Sequence, residues 1–150
     1  DFCEGTIQNI SFKNVDGDGL DISGSNLDIQ QMYAENIKDK AFSVGEKSSA
    51  VIKDALFNNV ATGIAVKDSS IVKATDISLK NIEYDLFMTY IKKPFYEGPT
   101  KLFVNNYTLD GVLKANKCVR ERGTDLIIDS KNCNISEIDI DALYQGRMKK

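Results

Sequence analysis

Apolar residues return along this chain in step, about every 22 residues, from Ile7 to Met88. Aligning Asn14, Asn36, Asn59 and Asn81 puts an aliphatic residue directly after each: Val15, Ile37, Val60 and Ile82. Upstream, the columns read Ile7-Ile29-Ile52-Ala74, Ile10-Met32-Ala55-Ile77 and Phe12-Ala34-Phe57-Leu79. Downstream they read Leu20-Phe42-Ile64-Leu86 and Ile22-Val44-Val66-Met88, with small polar turns at Gly24-Ser25, Ser48 and Ser69-Ser70. A fixed period of this length marks a stacked architecture, in which no single repeat buries its own apolar face. Inside each repeat, inward and outward residues alternate (Leu20-Asp21-Ile22, Phe42-Ser43-Val44), which is the period of a strand. No sustained helical stripe with capping signals occurs before residue 111, and the leucine-rich-repeat consensus is missing. The pattern predicts an all-β chain, a single-stranded right-handed parallel β-helix of about five coils with an irregular C-terminal cap. Like side chains then stack at about 4.8 Å, and the asparagine column becomes a hydrogen-bonded ladder.

The expected division is a single domain over 1–150: regular coils at 1–91, an inserted loop at 92–99, a fifth coil at 100–115 and a cap at 116–150. Both prolines lie in the loop, Pro94 and Pro99, and inserted loops carry function more often than coils. An equal alternative is that it covers the last coil. Beyond it, Val104, Tyr107, Leu109 and Val112 resume the inner pattern, with Gly111 in the asparagine position. Residues 118–120 and 125–129 read as short strands, and 135–144 as a strand or a short helix. The chain opens at Asp1, inside a repeat, so it is expected to be a fragment whose first coil exposes strand edges for association.

Several segments carry a resemblance. Gly17-Asp18-Gly19-Leu20-Asp21-Ile22, Asp39-Lys40-Ala41-Phe42-Ser43-Val44-Gly45-Glu46 and Gly63-Ile64-Ala65-Val66-Lys67-Asp68 resemble bacterial β-helix segments of the pectate-lyase-like superfamily. So do Tyr90-Ile91-Lys92-Lys93-Pro94 and Asp139-Ile140-Asp141-Ala142-Leu143-Tyr144. The resemblance implies the carboxyl end of a larger secreted or cell-surface protein, some relatives carrying a domain similar to spore-coat kinases. It implies the fold more strongly than any activity.

With 42% apolar residues among 150, the chain has material for a sizeable core. Its net charge of −3 argues against nucleic acid, and no apolar run reaches the length of a membrane span. The absence of histidine removes the ordinary base of a serine triad and a common zinc ligand. Of three cysteines, Cys118 and Cys133 suit a disulfide in an exported protein, but free thiols are favoured slightly, with Cys3 packed in the turn column of Ser25. Asn9-Ile10-Ser11, Asn106-Tyr107-Thr108 and Asn134-Ile135-Ser136 match glycosylation acceptors.

Candidate chemistry gathers where the coils turn. Polygalacturonase-like hydrolases of the superfamily use aspartates in successive coils and a histidine in a third; Asp18 and Asp39 match, while Lys40 and Thr62 replace the remaining members. A lyase or epimerase asks for a base and a group to stabilise the charge of a uronate, which Asp18, Asp39, Lys40 and Lys67 offer as candidate catalytic residues. Asp21, Glu46, Asp68, Lys92, Lys93 and Tyr96 are candidate substrate-binding residues, and Asp16, Asp18 and Asp39 candidate oxygen ligands for Ca²⁺, with no cofactor required. Lys40 is expected to hold a neighbouring carboxylate in its ionised form. Asp21-Ser43-Ala65-Phe87 and Ser23-Gly45-Lys67-Thr89 are the expected outward columns, grading from acidic to basic. The expected function is a non-catalytic module binding polysaccharide, or another domain of the same polypeptide, through this strand face and the 92–99 loop. The alternatives are an enzyme acting on a uronate polymer and a purely structural spacer.

Overall fold

The computed structural model describes residues 2–111 and 115–148; Val112 lies outside the described residues. The strands are β1 (Glu4–Val15), β2 (Leu20–Ser23), β3 (Asn26–Gly45), β4 (Ser49–Lys67), β5 (Ile71–Tyr90), β6 (Thr100–Asp110), β7 (Asn116–Arg120), β8 (Thr124–Ile128) and β9 (Lys131–Asn132). One helix, α1, spans Ile140–Gln145. The strands form a parallel β-solenoid of about five turns, closed by the antiparallel pair β8–β9.

Each long strand is one coil bent at corners where residues enter the left-handed region. One corner column is the asparagine ladder: Asn14, Asn36, Asn59 and Asn81 have φ of 56°, 55°, 54° and 53°. Asn36 Nδ2 donates to Asn14 Oδ1 at 2.8 Å, and Asn59 Nδ2 to Asn36 Oδ1 at 2.7 Å. Asparagine tolerates this conformation better than other non-glycine residues, and Gly111 takes the same place in the fifth coil. A second corner precedes it by five residues at Asn9, Gln31, Asp54, Asp76 and Asn106, all with positive φ. The third corner carries a buried hydroxyl column, in which Ser25 N donates to Ser48 Oγ and Ser48 N to Ser70 Oγ, each at 3.1 Å.

The register follows the apolar columns: Ile7 pairs with Ile29, Phe12 with Ala34, Ile52 with Ala74 and Phe57 with Leu79. Ile29, Phe42, Phe57, Ile64, Leu79 and Phe87 are fully buried in one continuous core, whereas Ile7, Ile10 and Phe12 of the first coil are only partly buried. The fourth coil departs from expectation. Val60 pairs with Ile82, but Thr62 pairs with Asp85 and Ile64 with Phe87, so the fourth coil regains at this corner the residue that the third lacks relative to Ile37–Lys40 of the second. Phe87 therefore points inward, edge-on to Tyr107 at 5.6 Å between ring centroids, and Met88 takes the outward position. The alternation could not reveal this because Leu86, Phe87 and Met88 are all apolar.

The solenoid also runs further than the sequence indicates. β7 completes the fifth coil against β5, and β8 lies on β6, with Thr124 beside Thr100. The segment after β9 folds back onto the side of the coils between the asparagine corner and the hydroxyl corner, their third side. Ile140, Leu143, Tyr144 and Met148 pack there on Ala65, Met88 and Tyr90. A Cys118–Cys133 disulfide ties this tail to the fifth coil, against the slight preference for free thiols. Cys3 aligns with Ser25, its Sγ 3.3 Å from Ser25 Oγ, but is exposed rather than packed.

Candidate functional site

The turn Asp16-Gly17-Asp18-Gly19 stacks on Lys38-Asp39-Lys40-Ala41: Gly19 N donates to Lys40 O at 2.8 Å, and Lys40 N to Asp18 Oδ1 at 3.2 Å. A side chain at Gly19 would put its Cβ 2.8 Å from Ala41 O, so the close approach of these turns requires glycine. Stacking brings three charged side chains together in the interior. Lys40 Nζ, with 1% of its side chain exposed, lies 2.7 Å from Asp39 Oδ2 and 3.0 Å from Asp18 Oδ1. Burial pushes the Asp39 carboxyl above the usual aspartate range, and Lys40 offsets only part of that rise. This corrects the expectation that the lysine would set the ionisation of its neighbours: desolvation outweighs it.

Beside this triad opens a cleft of about 320 Å³. Asp18, Asp21, Lys40, Glu46, Lys67, Lys92 and Lys93 line it, with Tyr144 and Met148 of the tail as one wall. Most candidate residues from four separate segments thus converge, rather than lining a flat sheet. Lys67 rises from β4, donates to Ser43 Oγ at 2.6 Å and lies 3.7 Å from Asp21 Oδ1. Burial pulls its ammonium below the ordinary lysine range, with Asp21 opposing the fall. Across the cleft Lys93 bonds Glu46, which holds that carboxyl below its usual range, and Tyr96 adds a smaller hydrogen bond. Lys92 Nζ sits 3.7 Å from the centroid of the Tyr144 ring.

Asp68 is fully buried behind the cleft and serves the backbone. Its Oδ1 accepts Lys92 N at 2.7 Å and Lys93 N at 2.6 Å, which fixes the start of the inserted loop. Most of the loop is exposed, and its middle is tied back to the coils. Ser69 Oγ donates to Tyr96 O at 2.7 Å, holding it against the third corner, where it delivers both lysines to the cleft. Asp16 is not with the other aspartates: its carboxylate pairs with Lys38 at 2.7 Å on the exposed surface. Asp16, Asp18 and Asp39 therefore do not form one oxygen cage, and among the described residues no cluster of three or more metal-ligating side chains occurs.

The strand face expected to be open is open only at the first coil, at Asp21. Ser43, Ala65, Met88, Thr89 and Tyr90 are all fully buried. Tyr90 OH and Tyr144 OH are 2.7 Å apart, and burial raises Tyr144 to about 12. Further down, Arg147 reaches Asp85 at 2.5 Å. The tail residues of the site, Tyr144 and Met148, carried no signal in the repeat, because they belong to no column.

Comparison with protein-family profiles, with curated proteins and with solved structures finds no match to this chain. Among the described residues no helix is long and apolar enough to cross a membrane. What the chain shows by itself is its class: a parallel β-solenoid whose C-terminal tail walls a charged cleft on one side of the first three coils.

Proposed function

We propose that this solenoid is a non-catalytic module that binds an acidic saccharide in the cleft beside the first three coils. The observation that carries the reading is the placement of Lys67, Lys92 and Lys93 beside Asp21 and Glu46 in one concavity. The ammonium groups suit a uronate carboxylate, and the carboxylates accept hydrogen bonds from sugar hydroxyls. The volume lies at the small end of ligand sites, about 300–1,000 Å³, and fits a short stretch of a polymer. The resemblance of Gly17–Ile22 and Asp39–Glu46 to pectate-lyase-like segments supports the same ligand class, and the disulfide supports an exported protein at the cell surface. Lys40 bonds both Asp18 and Asp39, which argues against their serving as the acid and base of an inverting hydrolase.

Calorimetric titration with uronate oligosaccharides tests the proposal. Saturable heat is expected, and Lys67→Ala should weaken binding about tenfold or more, the loss of a charge-assisted hydrogen bond of roughly 1.5–3 kcal/mol. No heat with any uronate oligomer would overturn it. A lyase is the second reading, favoured by the lowered Lys67, since a buried amine that gives up its proton more readily is a candidate base. Growth of the ultraviolet absorbance of an unsaturated uronate, lost in Lys67→Ala, would replace the module with that enzyme.

A further inference from the structure

The Asp18–Lys40–Asp39 triad is more deeply enclosed than a ligand site requires. The side chains of Lys40, Asp18 and Asp39 are 1%, 4% and 8% exposed. Burying one ammonium with two carboxyl groups is costly as an ion cluster, and removing two charges by proton transfer relieves that cost. The lysine nitrogen lies between a carboxyl it can attack and a second that can take up its proton. We propose that Lys40 and Asp18 are the site of a self-catalysed amide cross-link joining the first coil to the second, with Asp39 as the proton shuttle.

The geometry distinguishes the roles. Asp18 lies 22 residues from Lys40 on the neighbouring coil, and its Oδ1 is fixed by both Lys40 N at 3.2 Å and Lys40 Nζ at 3.0 Å. Asp39 is adjacent in sequence and makes the shorter contact, 2.7 Å, through Oδ2. Burial raises the Asp39 carboxyl, which favours its taking up a proton from the lysine nitrogen 2.7 Å away. In the reaction the Lys40 ammonium loses one proton through Asp39, and the free amine attacks Cγ of Asp18. The new C–N bond forms as one C–O bond of Asp18 breaks, and Asp39 delivers the proton to the departing oxygen. A second amine proton completes the water that leaves. One ammonium and one carboxylate become one amide and one water, Asp39 ends in its starting state, and no oxidant, metal or nucleotide is consumed. Enclosure favours the product by excluding the water that would reverse the step. The inference does not rest on the saccharide reading: a cross-linked triad leaves Lys67, Lys92 and Lys93 as the binding groups.

Intact mass spectrometry of the purified full chain, after disulfide reduction, tests it directly. The chain should be lighter by one water, and proteolysis should release a branched peptide joining the Asp18 and Lys40 segments. Asp39→Asn should fold, keep the unmodified mass and unfold at lower temperature than the cross-linked chain. A wild-type chain at its unmodified mass overturns the proposal. A water loss mapping to a linear peptide also overturns it, because Asp16-Gly17 and Asp18-Gly19 can instead close on their own backbone. A branched peptide in Asp39→Asn would overturn the role given to Asp39. Failure of saccharide binding would leave all of these outcomes unchanged.

Discussion

The third side of the coils has two ends that share a backbone and differ in what covers them. At the first coils, the outward column begins Asp21, Ser43; at the last, it continues Ala65, Met88, Val119. The tail settles on the apolar end, where Met148 and Tyr144 meet Ala65, Met88 and Tyr90, and the same two residues wall the cleft at the charged end. A repeat fold is therefore differentiated by side-chain chemistry along its axis. One covering segment, laid over a polarity gradient, divides the surface into a closed region and a cleft. Part of the side that encloses the charged groups comes from outside the repeat.

The most severe way to break the comparison is to remove the core beneath both ends. Phe87 is fully buried and packs on Tyr107, so Phe87→Ala should cost about 3–5 kcal/mol. Denaturant titration followed by circular dichroism measures it. Because coils contact mainly their neighbours, the loss should be felt first in the fourth and fifth coils and in the tail that rests on them.

Detaching the tail alone sharpens the contrast. Cys118 and Cys133 are separated by 15 residues, and a loop of that size is worth roughly 3 kcal/mol in the chain-entropy account. Cys118→Ser should lower stability by about that amount. Hydrogen exchange should increase at Leu143 and Met148 of the tail, while Ile29 and Ile52 stay protected. Equal loss of protection at both places would show that tail and coils unfold as one unit.

The middle coils were legible because their chemistry repeats. Asn36 and Asn59 announce a corner, and Ile29 and Ile52 a core position, each in a context that its neighbour duplicates. Legibility ended wherever one residue or one segment acts only once. The shortening of the third coil alone, between Val60 and Thr62, was hidden downstream by a run of apolar residues in the fourth that satisfy either register. The pairing of Cys118 with Cys133 depends on a tail whose course no column records. Convergence of Asp18, Lys40 and Lys67 was foreseeable, since stacked turns must bring successive coils together. The ionisation of Asp39 was not, because it depends on enclosure more than on the adjacent lysine.

A smaller effect tests the contact between the tail and the fourth coil. Tyr90 and Tyr144 share a hydrogen bond of 2.7 Å, so Tyr144→Phe should cost about 1 kcal/mol while keeping the ring over which Lys92 lies. Saccharide affinity should change little, whereas Tyr144→Ala, which removes the wall, should weaken it clearly. Equal affinities for the two variants would show that the tail does not shape the site.

The smallest effect distinguishes the two ends by pH. Lys67 at the charged end has a folded pKa below its ordinary value of 10.5, because burial disfavours its charge. Between the two values the unfolded chain binds a proton that the folded chain has released, so stability rises with pH across that window. Asp39 carries a raised pKa and acts in a different range: between 3.8 and its folded value the folded chain holds the extra proton, and stability falls as pH rises. Chemical denaturation across alkaline pH should thus show the wild type gaining on Lys67→Met as pH approaches 10.5. A parallel pair of curves would mean that solvent reaches Lys67 freely, and the charged end would then be an open surface rather than a cleft.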